Sequence, residues 1–273
     1  MPAVVKRIFI LSLYLLIVFP LPASEFWLQP EKFISRRGET INVRFWIGKK
    51  FNGHNWRGNS SRVRSLRVYM ASSRDDLSSN LSEQLGDSLQ LAIFDEGTAM
   101  ITFNSTNTYT ETEASEFNEY LKEDALQNAI EYREVNGETG MAGKEFYQRS
   151  VKTLIQVGSK SNSCYRQITD LPLDIIPLAN PYTLRNNQRL RVRVLFKNKP
   201  LANHCFKLWH RTKNSTRLQD VSTNASGETS FRVQKRGKWM LSTVAMNRLD
   251  DDSRADWQSY WGSLTWGYST RSF

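Results

Sequence analysis

Three histidines, His54, His204 and His210, and two cysteines, Cys164 and Cys205, are the chain's main stock of metal-ligating or proton-transferring side chains. Their spacing offers little chemistry. His204 and His210 lie six apart in one predicted strand, so they share a face but stand about 20 Å apart at about 3.3 Å per residue. They cannot share a metal unaided. His54 sits in the loop FNGHNWRGNS, where a solvated histidine is the plainer reading than a lone ligand. The sequence contains no H-E-x-x-H, C-x-x-C, G-x-S-x-G, Walker or glycine-rich dinucleotide motif. A Ser-His-Asp set assembled in space leaves no such signature, so a hydrolase would need a nucleophile beside one of the three histidines. The run LDDDSRADW (249–257) crowds acids together but lacks the spaced ligands and distal Glu of an EF-hand loop. The expectation is a non-enzymatic chain with no catalytic residues, metal or cofactor.

Binding chemistry has better candidates. In KEFYQRSVKTLIQVG (144–158), Glu145 and Arg149 fall on one face of a strand, and Lys152 falls on the other. Glu145 and Arg149 are expected to form a structural ion pair; the alternative is that Arg149 contacts an anion or carboxylate. Of the eight tryptophans, Trp56, two residues from His54 in its loop, is the best placed for a surface contact. The two cysteines suffice for one disulfide between Cys164 and Cys205, or for two separate thiols.

These side chains need elements to hold them, and most segments read as strands. INVRFWIG (41–48) alternates, and in RLRVRVLF (189–196) Leu190, Val192, Val194 and Phe196 form one apolar face. SLQLAIFDEG and TAMITFNS suggest a hairpin turning at Asp95-Glu96-Gly97. One amphipathic helix is predicted over 113–135, with Phe117, Tyr120, Leu121, Ala125, Leu126, Ala129 and Ile130 on its apolar stripe and Thr112 as N-cap. The proline-rich connector LPLDIIPLANPYTL (171–184) suggests a boundary near 178. The fold expected is mainly β: two antiparallel β-sandwiches of immunoglobulin or transthyretin type. The first (24–178) carries one covering helix; the second spans 179–273.

Residues 1–23 read as a signal peptide. Lys6 and Arg7 precede the apolar run IFILSLYLLIVF, and Ala23 offers a small residue for cleavage. At about 12 residues the run is short of the ~20 that span a bilayer, and no second long apolar run follows. A periplasmic or secreted chain without a transmembrane segment is expected. The net charge of +10 is spread along the chain, including Arg185, Arg189, Arg191 and Arg193, and reads as solvated sheet faces instead of a nucleic-acid surface.

Several segments together resemble a known family: EFWLQP, EFNEYLKEDAL, GKEFYQRSVKTLIQVG, LPLDIIPLANPYTL, RVRVLFKNKPLANH, NASGETSFRVQKRGKWMLSTVAM and ADWQSYWGSLTW. They resemble exported bacterial proteins grouped as domain of unknown function 4198, some described as periplasmic components of cobalt or nickel uptake. The C-terminal part also resembles transthyretin-like or carboxypeptidase-regulatory modules. The resemblance implies a binding or accessory protein in envelope transport, working with an envelope transport component; the alternative is a structural or interaction subunit with no small ligand. Relatives commonly carry histidines where this chain has Ser24 and Ala245, which weakens an inherited cobalt or nickel site. The remaining ligand-binding candidates are Ser24, Glu25, His54, Trp56 and Arg149.

Overall fold

The computed structural model describes residues 24–81 and 88–270; the predicted signal peptide lies outside them. The architecture is three layers of β-sheet with two helices. The first sheet holds β1 (Glu25–Pro30), β3 (Thr40–Lys49), β4 (Asn52–Asn55) and β7 (Ser88–Ala92), with β3 pairing to the other three. The central sheet runs β15 (Thr216–Ser222), β14 (Cys205–Arg211), β17 (Lys238–Arg248), β18 (Trp257–Gly267), β10 (Gly143–Val157), β8 (Gly97–Ser105), β5 (Val63–Tyr69), β6 (Arg74–Asp76). Short β2 (Ile34–Ser35) and β9 (Thr108–Thr112) also pair with β10. The third sheet holds β11 (Leu173–Pro177), β12 (Gln188–Phe196), β13 (Lys199–Pro200) and β16 (Glu228–Val233).

The two predicted sandwiches share their middle layer. β10 and β18, from opposite sides of residue 178, pair in parallel from Glu145↔Trp257 to Thr153↔Thr265. The expected connector contributes β11, which pairs with β12 across residue 178. On one face of the central sheet, Val151, Ile155, Ile101 and Phe103 pack against Phe26, Leu28, Val43 and Phe45 of the first sheet. On the other face, Leu154, Leu241, Leu264 and Trp266 pack against Ile175, Leu190, Val192 and Phe231 of the third. Covered on both sides, β10 is buried without interruption from Gln148 to Val157, as expected for a strand inside a three-layer stack.

Two local expectations need correction. The segments around Asp95-Glu96-Gly97 do not form a hairpin: β7 pairs with β3 in the first sheet, whereas β8 pairs with β5 and β10 in the central one. Gly97, at φ +123°, supports the crossing between layers. The single helix is two, α1 (Ala114–Glu123) and α2 (Gln127–Val135). Ala125 between them adopts φ +51°, outside helical space. Thr112 ends β9 and makes no cap; Glu113 takes the N-cap position without a side-chain bond. Both helices cover the same face as the first sheet, burying Phe117, Tyr120, Leu121 and Leu126 against Val244, Met246, Trp257 and Trp261.

Candidate functional site

The chain places its densest buried charge where β1, the helix break and the central sheet meet. The floor is set by register. Arg149 of β10, Trp261 of β18 and Val244 of β17 stand side by side and face β1 and the helices. The outer edge of β1 meets this floor through its carbonyls, spaced at the strand period. Ser24 O accepts from Arg149 Nη1 (3.2 Å), Phe26 O from Ser263 Oγ (2.7 Å) and Leu28 O from Thr265 Oγ1 (2.8 Å). An exposed strand edge is thereby sealed by side chains of another sheet.

The helix break supplies the next group. Asp124 falls on the apolar stripe of α1, seven residues from Phe117, and the left-handed Ala125 ends the helix with that carboxylate turned inward. Its Oδ1 accepts from Lys207 Nζ of β14 at 2.7 Å. Burial pushes Asp124 up in spite of Lys207. Burial opposes the Lys207 charge, but Asp124 outweighs it and holds the ammonium above its ordinary range. Glu25 lies beside this pair. Burial lifts its carboxyl to about 7 against the pull of Lys207, and its Oε2 is buried without a hydrogen bond. Glu25, Asp124, Ser242, Ser263 and Trp261 line a small, partly open cavity of about 10 Å³, room for about one water.

Glu145 and Arg149 complete the niche. Glu145 is fully buried, and burial raises its carboxyl to about 8, opposed by Ser259 and Arg149. The Ser259 and Tyr120 hydroxyls are its polar neighbours, but neither carboxylate oxygen makes a well-formed hydrogen bond. Arg149 lies among rings, 5.2 Å from the centroids of Phe26 and Tyr147 and 6.0 Å from Trp261. Burial lowers its proton affinity, yet a guanidinium keeps its charge in proteins. The expected Glu145–Arg149 ion pair is absent among the described residues: the two share a face, as predicted, but Tyr147 stands between them. Lys152 faces the other way, as predicted, and forms a buried ion pair with Asp174 of β11.

Other predicted residues fall elsewhere. His54 is exposed on β4, opposite Ile47. Trp56 is packed against Phe26, Phe45 and Phe103 at ring separations of 5.5–6.2 Å, so it anchors the core and is not a free surface platform. His204 donates from Nε2 to Val244 O (2.8 Å) and His210 from Nε2 to Arg236 O (2.9 Å). The disulfide does not form: Cys164 is buried with Sγ against Tyr69 O, and Cys205 is a half-buried free thiol at the start of β14. Asp124, Lys207, Tyr120 and Ser259 are the niche residues that sequence reasoning missed.

Ser24 and Ala245, the two slots where the resemblance implies histidines, fall on opposite faces of the central sheet. Ala245 points into the core between the central and third sheets, in one row with Gln148 and Tyr260. Ser24 lies on the opposite face, bonded to Arg149. Among the described residues no group of three or more His, Cys, Asp or Glu side chains could hold a metal ion, and no helix is long and apolar enough to cross a membrane.

Comparison with known proteins gives a family and weak structural likenesses. No curated protein matches the chain. A Salmonella alpha-2-macroglobulin mutant is 10% identical over 90% of this chain at a TM-score of 0.22; the chain spans only 15% of that protein's length. Fibronectin(III)-like modules of Clostridium thermocellum CbhA are 10% identical, with 88% of this chain and 95% of theirs covered, at a TM-score of 0.21. Three N-terminal domains of the bacteriophage RB49 outer capsid protein Hoc are 9% identical, with 88% and 59% covered, at 0.20. Likenesses at such scores carry no functional meaning. The family model for a domain of unknown function, DUF4198, matches residues 21–247, most of the chain, and the protein belongs to that family.

Proposed function

We propose that this chain is a non-enzymatic binding or accessory protein of the exported envelope space, linked to transport of a small solute or metal. One observation carries the reading. Three carboxyl groups (Glu25, Asp124, Glu145) and the Arg149 guanidinium are buried together at the start of β1, with the partly buried Lys207 ammonium paired to Asp124. Burying unevenly paired charge costs stability, and such clusters collect where a protein does its work. The niche is too small for an organic solute as it stands, so a small ligand enters only when α1 or β1 yields.

Titration calorimetry of the purified exported chain with Co²⁺, Ni²⁺, Zn²⁺ and Cu²⁺, run beside native co-purification from envelope membranes, tests this. Heat that disappears in Glu25→Gln, or a transport component that stays bound, supports it. Absence of both removes it and leaves the second reading, a structural or interaction subunit without a small ligand. That second reading has the sealed three-layer core in its favour.

A further inference from the structure

We propose that an open trough at the far end of β17 and β18 binds a strand of acidic oligosaccharide, with Lys213, Lys235 and Arg236 taking its carboxylates. The site is separate from the buried niche. Tyr268, on its wall, lies seven residues along from Trp261, about 23 Å at about 3.3 Å per residue.

The trough has two adjoining parts, of about 650 Å³ and 170 Å³, which share Lys235 and Tyr268. Among the described residues, no Asp or Glu lines either part. Lys213, Lys235 and Arg236 are exposed. Two of them are held in place: Lys235 Nζ donates to Tyr182 O at 3.0 Å, and Arg236 Nε donates to Gln234 Oε1 at 2.9 Å. Lys160, in the smaller part, is paired with Glu96 and contributes less. Between the cations the walls carry hydroxyl and amide groups, among them Thr212, Asn214, Ser215 and Gln156.

That composition selects among polyanions. Spaced cations separated by small hydroxyls and amides suit a uronate-bearing sugar chain, whose hydroxyls need partners between its charges. A nucleic acid would want stacking rings. The two rings that line the trough among the described residues are taken: Tyr268 donates its hydroxyl to Pro181 O and meets Tyr182 edge-on. A membrane surface would want apolar side chains beside the cations, and among the described residues the large exposed apolar side chains Phe94, Tyr109, Val135, Met141, Ile168 and Leu218 lie outside the lining.

The test is binding of the full exported chain to hexameric oligogalacturonate, with maltohexaose, single-stranded DNA and phosphatidylglycerol vesicles as competing classes. Saturable oligogalacturonate binding, at least tenfold tighter than maltohexaose, is expected. It should weaken at least tenfold in Lys213→Glu/Arg236→Glu and change less than threefold in Arg189→Glu/Arg232→Glu, which removes the same charge from the outer face of the third sheet. If the first pair fails to fold by circular dichroism, Lys213→Gln/Arg236→Gln takes its place, with at least fivefold weakening expected. Equal loss in both reversal pairs, tighter binding to DNA or vesicles, or no oligogalacturonate binding would overturn the proposal.

Discussion

Replacing Glu145 by Gln keeps the side chain's size and removes its ionisation. In the folded chain burial holds this carboxyl at about 8, against an ordinary 4.5. The folded state therefore binds the proton more tightly than the unfolded state, and between these values stability falls as pH rises. The gap of about 3.5 pH units, at about 1.4 kcal/mol per unit, sets a ceiling of roughly 5 kcal/mol above pH 8. At pH 7 the carboxyl is still largely protonated, and the loss is about 3 kcal/mol. Below pH 4.5 both states hold the proton and the loss vanishes. Glu25 and Lys238, which burial moves to about 7 from below and from above respectively, titrate in both proteins and cancel in the difference. Urea unfolding of wild type and Glu145→Gln at pH 4.5, 7 and 8.5, by linear extrapolation, should give stabilities within about 1 kcal/mol at the lowest pH. The variant should then be more stable by about 2–3 kcal/mol at pH 7 and by more at pH 8.5. Parallel pH profiles for the two proteins would refute the burial argument.

Other consequences follow from the same packing. Ala125→Gly should stabilise the chain by about 0.5–1 kcal/mol, because glycine holds the left-handed break without strain; Ala125→Val should destabilise it, and thermal melts of both report the sign. Asp174→Ala strands the buried Lys152 charge and should cost about 3–5 kcal/mol, whereas Lys152→Met/Asp174→Leu should restore most of the loss in urea titrations. Thiol titration of denatured, unreduced protein should find two reactive cysteines per chain; none would mean that Cys164 and Cys205 are bridged after all. Ser263→Ala/Thr265→Val removes two donors from the β1 carbonyls and should cost about 2 kcal/mol, read as faster proteolysis near residue 30.

Much of this architecture is legible in alternation. Ile41, Val43, Phe45 and Ile47 face one way in β3, as do Leu190, Val192 and Val194 in β12, and all are buried. Alternation identifies a strand but not its neighbours. The supposed hairpin at 95–97 fails because both strands have apolar faces that two different sheets can use, and only the long β10 decides between them. The helix break is harder to see, since Ala125 is a good helix former. A signal was present nonetheless: Asp124 sits where the stripe of Phe117, Tyr120 and Leu121 calls for an apolar residue. Lys152 carried a similar signal, as a charge inside a segment otherwise fit for burial on both faces. The niche itself was half legible. Glu25, Glu145 and Arg149 could be named, but their union with Lys207 depends on the long-range contact of Asp124, at the helix break, with β14.

The claim beneath all of this is that the charges at the start of β1 are shut away from water. Carbon-13 NMR titration of the side-chain carboxyls, with Glu25→Gln and Glu145→Gln for assignment, measures that directly. Resonances with midpoints near 7 and 8 are predicted for Glu25 and Glu145, with Asp124 held above its ordinary range by burial. Two midpoints near 4.5 would mean a hydrated niche and would contradict the account.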